Sequence, residues 1–70
     1  MTPIIWKSLA GGRALAPYRG DERLPFTVCS YGADPKRYEA WDKRGEWSLC
    51  LGTRLETPDA AKALVMVEIS

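Results

Sequence analysis

Four segments of the chain show the apolar and polar spacing that predicts β-strands. These segments are Ile4–Ala10, Phe26–Tyr31, Arg37–Asp42 and Glu46–Leu51. They are rich in β-branched and aromatic residues, as is typical of strands. The last two segments alternate on either side of a short polar stretch, which predicts a hairpin with Arg44 and Gly45 as its loop residues.

Side chains alternate between the two faces of a sheet, so a register assigns each residue to a face. The predicted hairpin places Asp42 opposite Trp47, and a second turn places Tyr31 opposite Arg37. The residues of the resulting apolar face are Phe26, Val28, Tyr38, Ala40, Trp47, Leu49 and Leu51. The residues of the more polar face are Thr27, Cys29, Tyr31, Arg37, Glu39, Trp41, Lys43, Glu46, Ser48 and Cys50.

The end of the chain predicts a helix. Thr57 is a favourable N-cap, because its hydroxyl can accept from a free backbone N–H of the first turn. Pro58 suits the first helical position, and Asp59 complements the helix dipole. The apolar residues of this segment require a sheet to pack against. We therefore predict an α+β fold, with residues 1–70 forming one domain: an antiparallel sheet of three to four strands with one C-terminal helix packed on its apolar face.

The stretch Arg13–Pro25 predicts a long irregular loop. It contains Pro17, Gly20 and the charged group Asp21-Glu22-Arg23, all of which favour turns. Loops of this length are uncommon in a compact domain, so we expect this one to be mobile or functional.

Composition argues against catalysis. The 70 residues contain no His, and 10 Lys+Arg against 9 Asp+Glu leave a net charge of +1. The chain therefore lacks the commonest general base and the commonest zinc ligand. Cys29 and Cys50 form no CxxC motif, and the register places them too far apart for a disulfide. We expect a protein that is not an enzyme and that holds no metal and no cofactor.

The chain also lacks the patterns of secretion and membrane insertion. Residues 1–7 do not combine a basic region with an apolar stretch, as a signal peptide would. The longest apolar run, Ala63–Val67, is far shorter than the ~20 residues of a membrane span. Together with two thiols that we expect to be reduced, these features predict a cytoplasmic protein without membrane association.

The polar face of the predicted sheet carries the best candidates for binding a partner. Aromatic side chains beside arginine are typical of protein interfaces, and they also suit nucleic acid. The candidate partner-binding residues are Tyr31, Arg37, Glu39, Trp41 and Lys43 on the sheet, with Arg13, Arg19 and Arg23 in the loop. The alternative is an ordinary surface, with Trp41 lying beneath the loop.

One sequence pattern resembles a DNA-binding family. It consists of Arg37-Tyr38-Glu39-Ala40-Trp41, then Leu51-Gly52-Thr53, Thr57 and Ala60-Ala61. The pattern resembles the sheet-plus-helix domains of the plant APETALA-type DNA-binding proteins and of phage integrase arm-binding modules. The resemblance covers about residues 26–64. It implies that the exposed sheet face enters the major groove, with matching positions at Tyr31, Arg37, Glu39, Trp41 and Ser48.

Size, architecture and the lack of catalytic residues are also similar to small phage and prophage accessory proteins, among them anti-CRISPR and other counter-defence proteins. This resemblance implies a non-enzymatic protein in the host cytoplasm that inhibits a host defence complex by occluding a protein or protein–nucleic-acid surface. The expected partner is a host protein or ribonucleoprotein complex, and DNA is the alternative. Monomer and homodimer both stay open, because an unpaired sheet edge can pair with a second chain.

Overall fold

The computed structural model describes residues 3–33 and 35–70. Within them lie six strands and one helix: β1 Ile4–Leu9, β2 Ala14–Arg19, β3 Glu22–Arg23, β4 Phe26–Tyr31, β5 Arg37–Asp42, β6 Leu49–Leu55 and α1 Pro58–Ile69. Met1, Thr2 and Asp34 lie outside the described residues, and with Asp34 so does part of the predicted turn after β4. The α+β class and the single C-terminal helix are confirmed.

All strands join one antiparallel sheet in the order β1-β2-β4-β5-β6, with β3 paired to β2. The sheet thus has six strands rather than the predicted three to four. The additional strands, β2 and β3, come from the stretch Arg13–Pro25. The prediction of an irregular loop there is wrong.

A tight turn allows the chain to fold back from β1 into β2. Residues Ala10–Gly12 form a short 3-10 segment that is kinked at Gly11, where φ is 67°, and Gly12 has φ 92°. These left-handed conformations are open to glycine without steric cost. The Gly11-Gly12 pair therefore follows β1 and connects it to β2 as a hairpin.

Proline cannot donate a hydrogen bond to a sheet ladder, so the presence of Pro17 argued against a strand in this segment and β2 was not predicted. In the structure Pro17 is buried opposite Trp6, and its carbonyl accepts from the N–H of Leu24 at 2.9 Å. The N and C=O groups of one residue point to the same side of an antiparallel strand. The ring nitrogen of Pro17 consequently points away from β1, and no ladder hydrogen bond to β1 is lost.

The predicted register between β4 and β5 is confirmed in full. Tyr31 lies opposite Arg37, and Val28 lies opposite Ala40. Phe26, Val28 and Ala40 are buried and belong to the hydrophobic core. Alternation about a short turn was sufficient to predict this pairing.

The predicted β5–β6 hairpin is wrong in its turn and its register. β6 begins at Leu49, which lies opposite Asp42, where Trp47 was expected. A side-chain interaction explains the longer loop. The Asp42 carboxylate accepts from the backbone N–H of Arg44 at 2.9 Å and from its guanidinium at 2.6 Å. These bonds hold the chain in a bend directly after β5, so Arg44 cannot start a two-residue hairpin loop.

The helix forms where the capping residues predict it. The Thr57 hydroxyl accepts from the N–H of Ala60 at 3.1 Å, and Pro58 is the first helical residue. Ala61 and Val65 are fully buried on the sheet, and α1 packs across β4, β5 and β6. Within the described residues, no helix is long and apolar enough to cross a membrane.

Candidate partner-binding surface

The sheet has one face covered by α1 and a second face, here called the outer face, that carries the candidate residues. Residues directly opposite each other in a ladder share a face, so the pairing identifies the members of the outer face. Its apolar members in the first two strands are Ile5, Leu9, Ala14 and Ala16, and its other members are Lys7, Tyr18, Arg23, Thr27, Cys29, Tyr31, Arg37, Glu39, Trp41 and Cys50.

Charge is unevenly distributed between the two sides of the molecule. Among the paired residues of the outer face, three side chains are cationic and one is a carboxylate. The cations are Lys7, Arg23 and Arg37, and the carboxylate is Glu39. The segment 56–70 on the other side contains three acidic residues and one basic residue. The net charge of +1 therefore combines an excess of cations on the outer sheet face with an excess of carboxylates in the segment 56–70.

Tyr31 connects the outer face to an irregular point of β6. One extra residue of β6 is accommodated between the pairs Tyr38–Leu55 and Ala40–Gly52, which marks a β-bulge. Arg54, within this bulge, has φ 59°, and its N–H donates to the Tyr31 hydroxyl at 3.0 Å. The phenol thus accepts from a backbone donor at the bulge. Tyr31 therefore supports the sheet while its ring remains exposed.

Trp41 borders a shallow depression of about 230 Å³ on the outer face, lined also by Cys29, Lys43 and Ser48. Trp41 is half-buried and lies opposite Thr27. The region Arg13–Pro25 does not cover Trp41 as a loop, because it forms β2 and β3. The indole and the Lys43 side chain thus border one cleft, where a flat apolar group and a negative charge could bind together.

Glu39 lies in the middle of the outer face, opposite Cys29. Partial burial, and secondarily the Glu39 carboxylate, raise the pKa of the Cys29 thiol, whereas Lys43 opposes the shift. A raised thiol pKa disfavours the nucleophilic thiolate. Both cysteines are free. The Cys29 thiol is therefore less nucleophilic than an unperturbed thiol would be.

The three candidate arginines from the region Arg13–Pro25 occupy three separate places. Arg13 lies at the end of the sheet near Tyr31, where its carbonyl accepts from the N–H of Ser30 at 2.9 Å. Arg23 lies on the outer face opposite Tyr18, at the far end of β2. Arg19 lies opposite Ile4, on the side of the sheet that faces the helix. The structure therefore places Arg23 on the outer face, Arg19 on the other face, and Arg13 at the end of the sheet beside Ser30.

Trp47 is a surface residue that the sequence pattern assigned to the core. Its side chain is 80% exposed in the loop between β5 and β6, and the neighbouring Leu49 is 61% exposed. The assignment failed because it depended on the two-residue hairpin. The loop residue Ser48 lines the Trp41 depression, whereas Trp47 is not among its lining residues and projects from the same loop into solvent.

No group of His, Cys, Asp or Glu among the described residues could hold a metal ion. Comparison with known proteins finds no matching family model, no matching curated protein and no matching solved structure.

Proposed function

We propose that this chain is a non-enzymatic binding protein that uses the outer face to cover a surface of a macromolecular partner. The supporting observation is a sheet whose outer face has no described element packed on it and which carries aromatic and cationic side chains together. Tryptophan, tyrosine and arginine dominate the binding energy of many protein interfaces. Trp41, Tyr31 and Arg37 are such a set.

The proposed partner is a host protein or ribonucleoprotein complex, and the proposed effect is inhibition of a host defence complex by occlusion, as anti-CRISPR proteins do. The resemblance of size and architecture to phage accessory proteins supports this proposal, which places the chain in the host cytoplasm. The charge of the outer face adds a further expectation. Because Lys7, Arg23 and Arg37 outnumber the one carboxylate there, the covered surface should be acidic.

Trp47 supports a protein partner in particular. A tryptophan that is 80% exposed contributes little to the stability of its own chain. It can bury a large apolar area once it enters a pocket of another protein. The loop between β5 and β6 would then provide the anchor, and the outer face the surrounding contacts.

The test is an inhibition assay with purified CRISPR effector complexes of several types, measuring target-DNA cleavage with and without the chain. We expect one complex to be inhibited, with Trp41→Ala and Arg37→Glu each weakening inhibition by at least about tenfold, as hot-spot residues do. The control is Val67→Ala, which changes a 72% exposed residue of α1 away from the outer face. Equal inhibition by all variants that keep the native unfolding midpoint would refute the proposed surface.

A DNA-binding module of the integrase-arm type is the second candidate, supported by the excess of cationic side chains on the outer face. Tryptophan fluorescence can follow titration with duplex DNA at about 50 and 200 mM salt, where the slope reports the number of phosphate contacts. A steep slope that flattens in Arg37→Gln would favour DNA binding. Absence of binding at the lower salt concentration would exclude it.

A further inference from the structure

A polar pocket of about 330 Å³, here called the end pocket, lies at the end of the sheet where the turn after β1 meets the turn after β4. It is lined by Arg13, Ser30, Tyr31, Gly32 and Lys36. None of these residues is acidic. The end pocket and the Trp41 depression are separate sites, because they share no lining residue.

Hydrogen bonds fix the walls of the end pocket. The Arg13 carbonyl accepts from both the backbone N–H of Ser30 at 2.9 Å and the Ser30 hydroxyl at 3.2 Å. The Tyr31 ring is held at its far end, where the phenol accepts from the N–H of Arg54. Two of the walls are therefore positioned before any ligand arrives, which lowers the entropic cost of binding.

The turn after β4 brings Lys36 to the same pocket. Gly32 has φ 78°, and a Cβ built on it would lie 3.1 Å from the carbonyl oxygen of Pro35. The chain thus turns sharply at a position that favours glycine. The Lys36 carbonyl in turn accepts from the Arg37 guanidinium at 3.3 Å. This contact holds the Arg37 side chain against the turn that contains Lys36.

The cations of the end pocket are not engaged by the carboxylates that the structure describes. In residues 3–33 and 35–70, both ion pairs belong to Arg44, which bonds Asp42 and lies 3.6 Å from Glu68. Arg13 and Lys36 therefore have no carboxylate partner within those ranges. A planar guanidinium matches two oxygens of a phosphate, and an ammonium adds a point charge.

We propose that the end pocket binds the phosphate group of a phosphorylated ligand, with the Arg13 guanidinium donating to two phosphate oxygens and the Lys36 ammonium to a third. The volume is within the range of about 300–1,000 Å³ that small-molecule sites occupy, so it admits the group to which the phosphate is attached as well. The site goes beyond the proposed occlusion function and does not depend on it.

The test is a titration of the ¹⁵N-labelled protein with inorganic phosphate, with chloride keeping the ionic strength constant. We expect saturable shifts of the amide signals of Ser30, Tyr31 and Gly32. Arg13→Gln and Lys36→Gln should each weaken binding by about tenfold or more, because each removes a charge-assisted hydrogen bond. Arg23→Gln removes a cation from the far end of β2 and is the matched control. It should leave the affinity unchanged.

Two competitors distinguish the sources of the phosphate group. Displacement by a nucleoside monophosphate alone would identify a terminal phosphate on a small molecule. Displacement by an oligothymidylate without terminal phosphates would identify the backbone of a polynucleotide, and displacement by neither would identify phosphate itself.

The proposal is overturned if the shifts spread evenly over all surface cations, or if both pocket variants bind phosphate as the unchanged protein does. Trp41→Ala should retain phosphate binding even if it abolishes inhibition of a partner. The two proposals can therefore fail independently.

Discussion

Single polar side chains complete the backbone hydrogen bonding where this sheet is irregular. The Tyr31 phenol accepts from the N–H of Arg54 in the bulge of β6, and the Asp42 carboxylate accepts from the N–H of Arg44 after β5. The bond from Arg44 is part-buried, where a donor without a partner would be costly, whereas the bond from Arg54 is exposed and contributes less. Both side chains therefore stabilise conformations that the regular sheet ladder would not support.

Thr27 is the opposite case, a buried polar group without a partner. Its side chain is 4% exposed, and its hydroxyl oxygen has no hydrogen-bond partner. We expect Thr27→Val to leave the free energy of unfolding within about 1 kcal/mol or to raise it, because shape is kept and an unsatisfied group is removed. Urea unfolding measures the change. The matched substitution Val28→Thr should destabilise by about 1–3 kcal/mol, since it buries a new hydroxyl. Equal losses in the two variants would contradict this account.

Asp42 should make stability depend on pH in the acidic range. Hydrogen bonds from the Arg44 side chain, and then from its backbone N–H, lower the pKa of Asp42 below the ordinary value of 3.8. The native state therefore binds this proton less readily than the unfolded chain does. The stabilisation is present above about pH 4 and is lost as the pH falls through the lower native pKa.

The expected result is that Asp42→Asn destabilises the protein at pH 7 and that the difference from the unchanged protein shrinks at pH 3. Urea unfolding at both pH values is the measurement. Asp21→Asn, in the turn between β2 and β3, is the control. It should show no such convergence. A constant difference for Asp42→Asn at both pH values would assign its effect to packing alone.

At the scale of elements, β2 shows how a strand can hold a proline. Its segment Ala14–Arg19 is paired to β1 along its full length. The carbonyl of Pro17 bonds Leu24 on the opposite side. We expect the Leu24 amide to exchange slowly with deuterium, because it is hydrogen-bonded and its residue is buried. The amides of Gly45 and Trp47, in the β5–β6 loop, should exchange fast. Fast exchange at Leu24 would contradict this pairing and would favour an irregular loop in the stretch Arg13–Pro25.

Contact between α1 and β6 depends on the absence of a Cβ atom at Gly52. A Cβ built on Gly52 would lie 2.5 Å from the Cδ1 atom of Leu64, so Leu64 occupies the space that a larger residue would need. We expect Gly52→Ala to lower the free energy of unfolding by about 1–3 kcal/mol through overpacking. The loss should be smaller in a Leu64→Ala background, where the space is free. A double-mutant cycle measures this coupling, and additive losses would show that the two residues do not compete.

At the scale of the molecule, the one core between sheet and helix limits stability. A chain of 70 residues should have a free energy of unfolding of about 4–10 kcal/mol, at 0.05–0.15 kcal/mol per residue. Leu64 packs against this core. We expect Leu64→Asp to unfold the protein, because an unpaired carboxylate at that position costs several kcal/mol. Far-UV circular dichroism measures the loss. Ala63→Asp, at an exposed neighbouring position, should stay folded, and a folded Leu64→Asp would refute helix-on-sheet packing.

The candidate site was predictable where it depended on one short turn. The pair Tyr31–Arg37 and the face shared by Cys29, Glu39 and Trp41 follow from alternation, and the β4–β5 pairing confirms them. Trp47 was not predictable in the same way, because its place depends on how Asp42 bonds Arg44. That interaction lengthens the loop, and no periodicity in the sequence encodes it.

The sequence by itself determined the class of fold, the helix and the central pair of strands, because capping and alternation act over a few neighbouring residues. The tertiary structure alone decided the other features. It paired the Pro17 segment with β1, exposed Trp47, joined Arg13 with Lys36 at one pocket and gathered Lys7, Arg23 and Arg37 on one sheet face. Some of these features bring together residues that are distant in the chain, and the exposure of Trp47 follows from one side-chain interaction. A local pattern of apolar and polar residues encodes neither a long-range contact nor a single hydrogen bond.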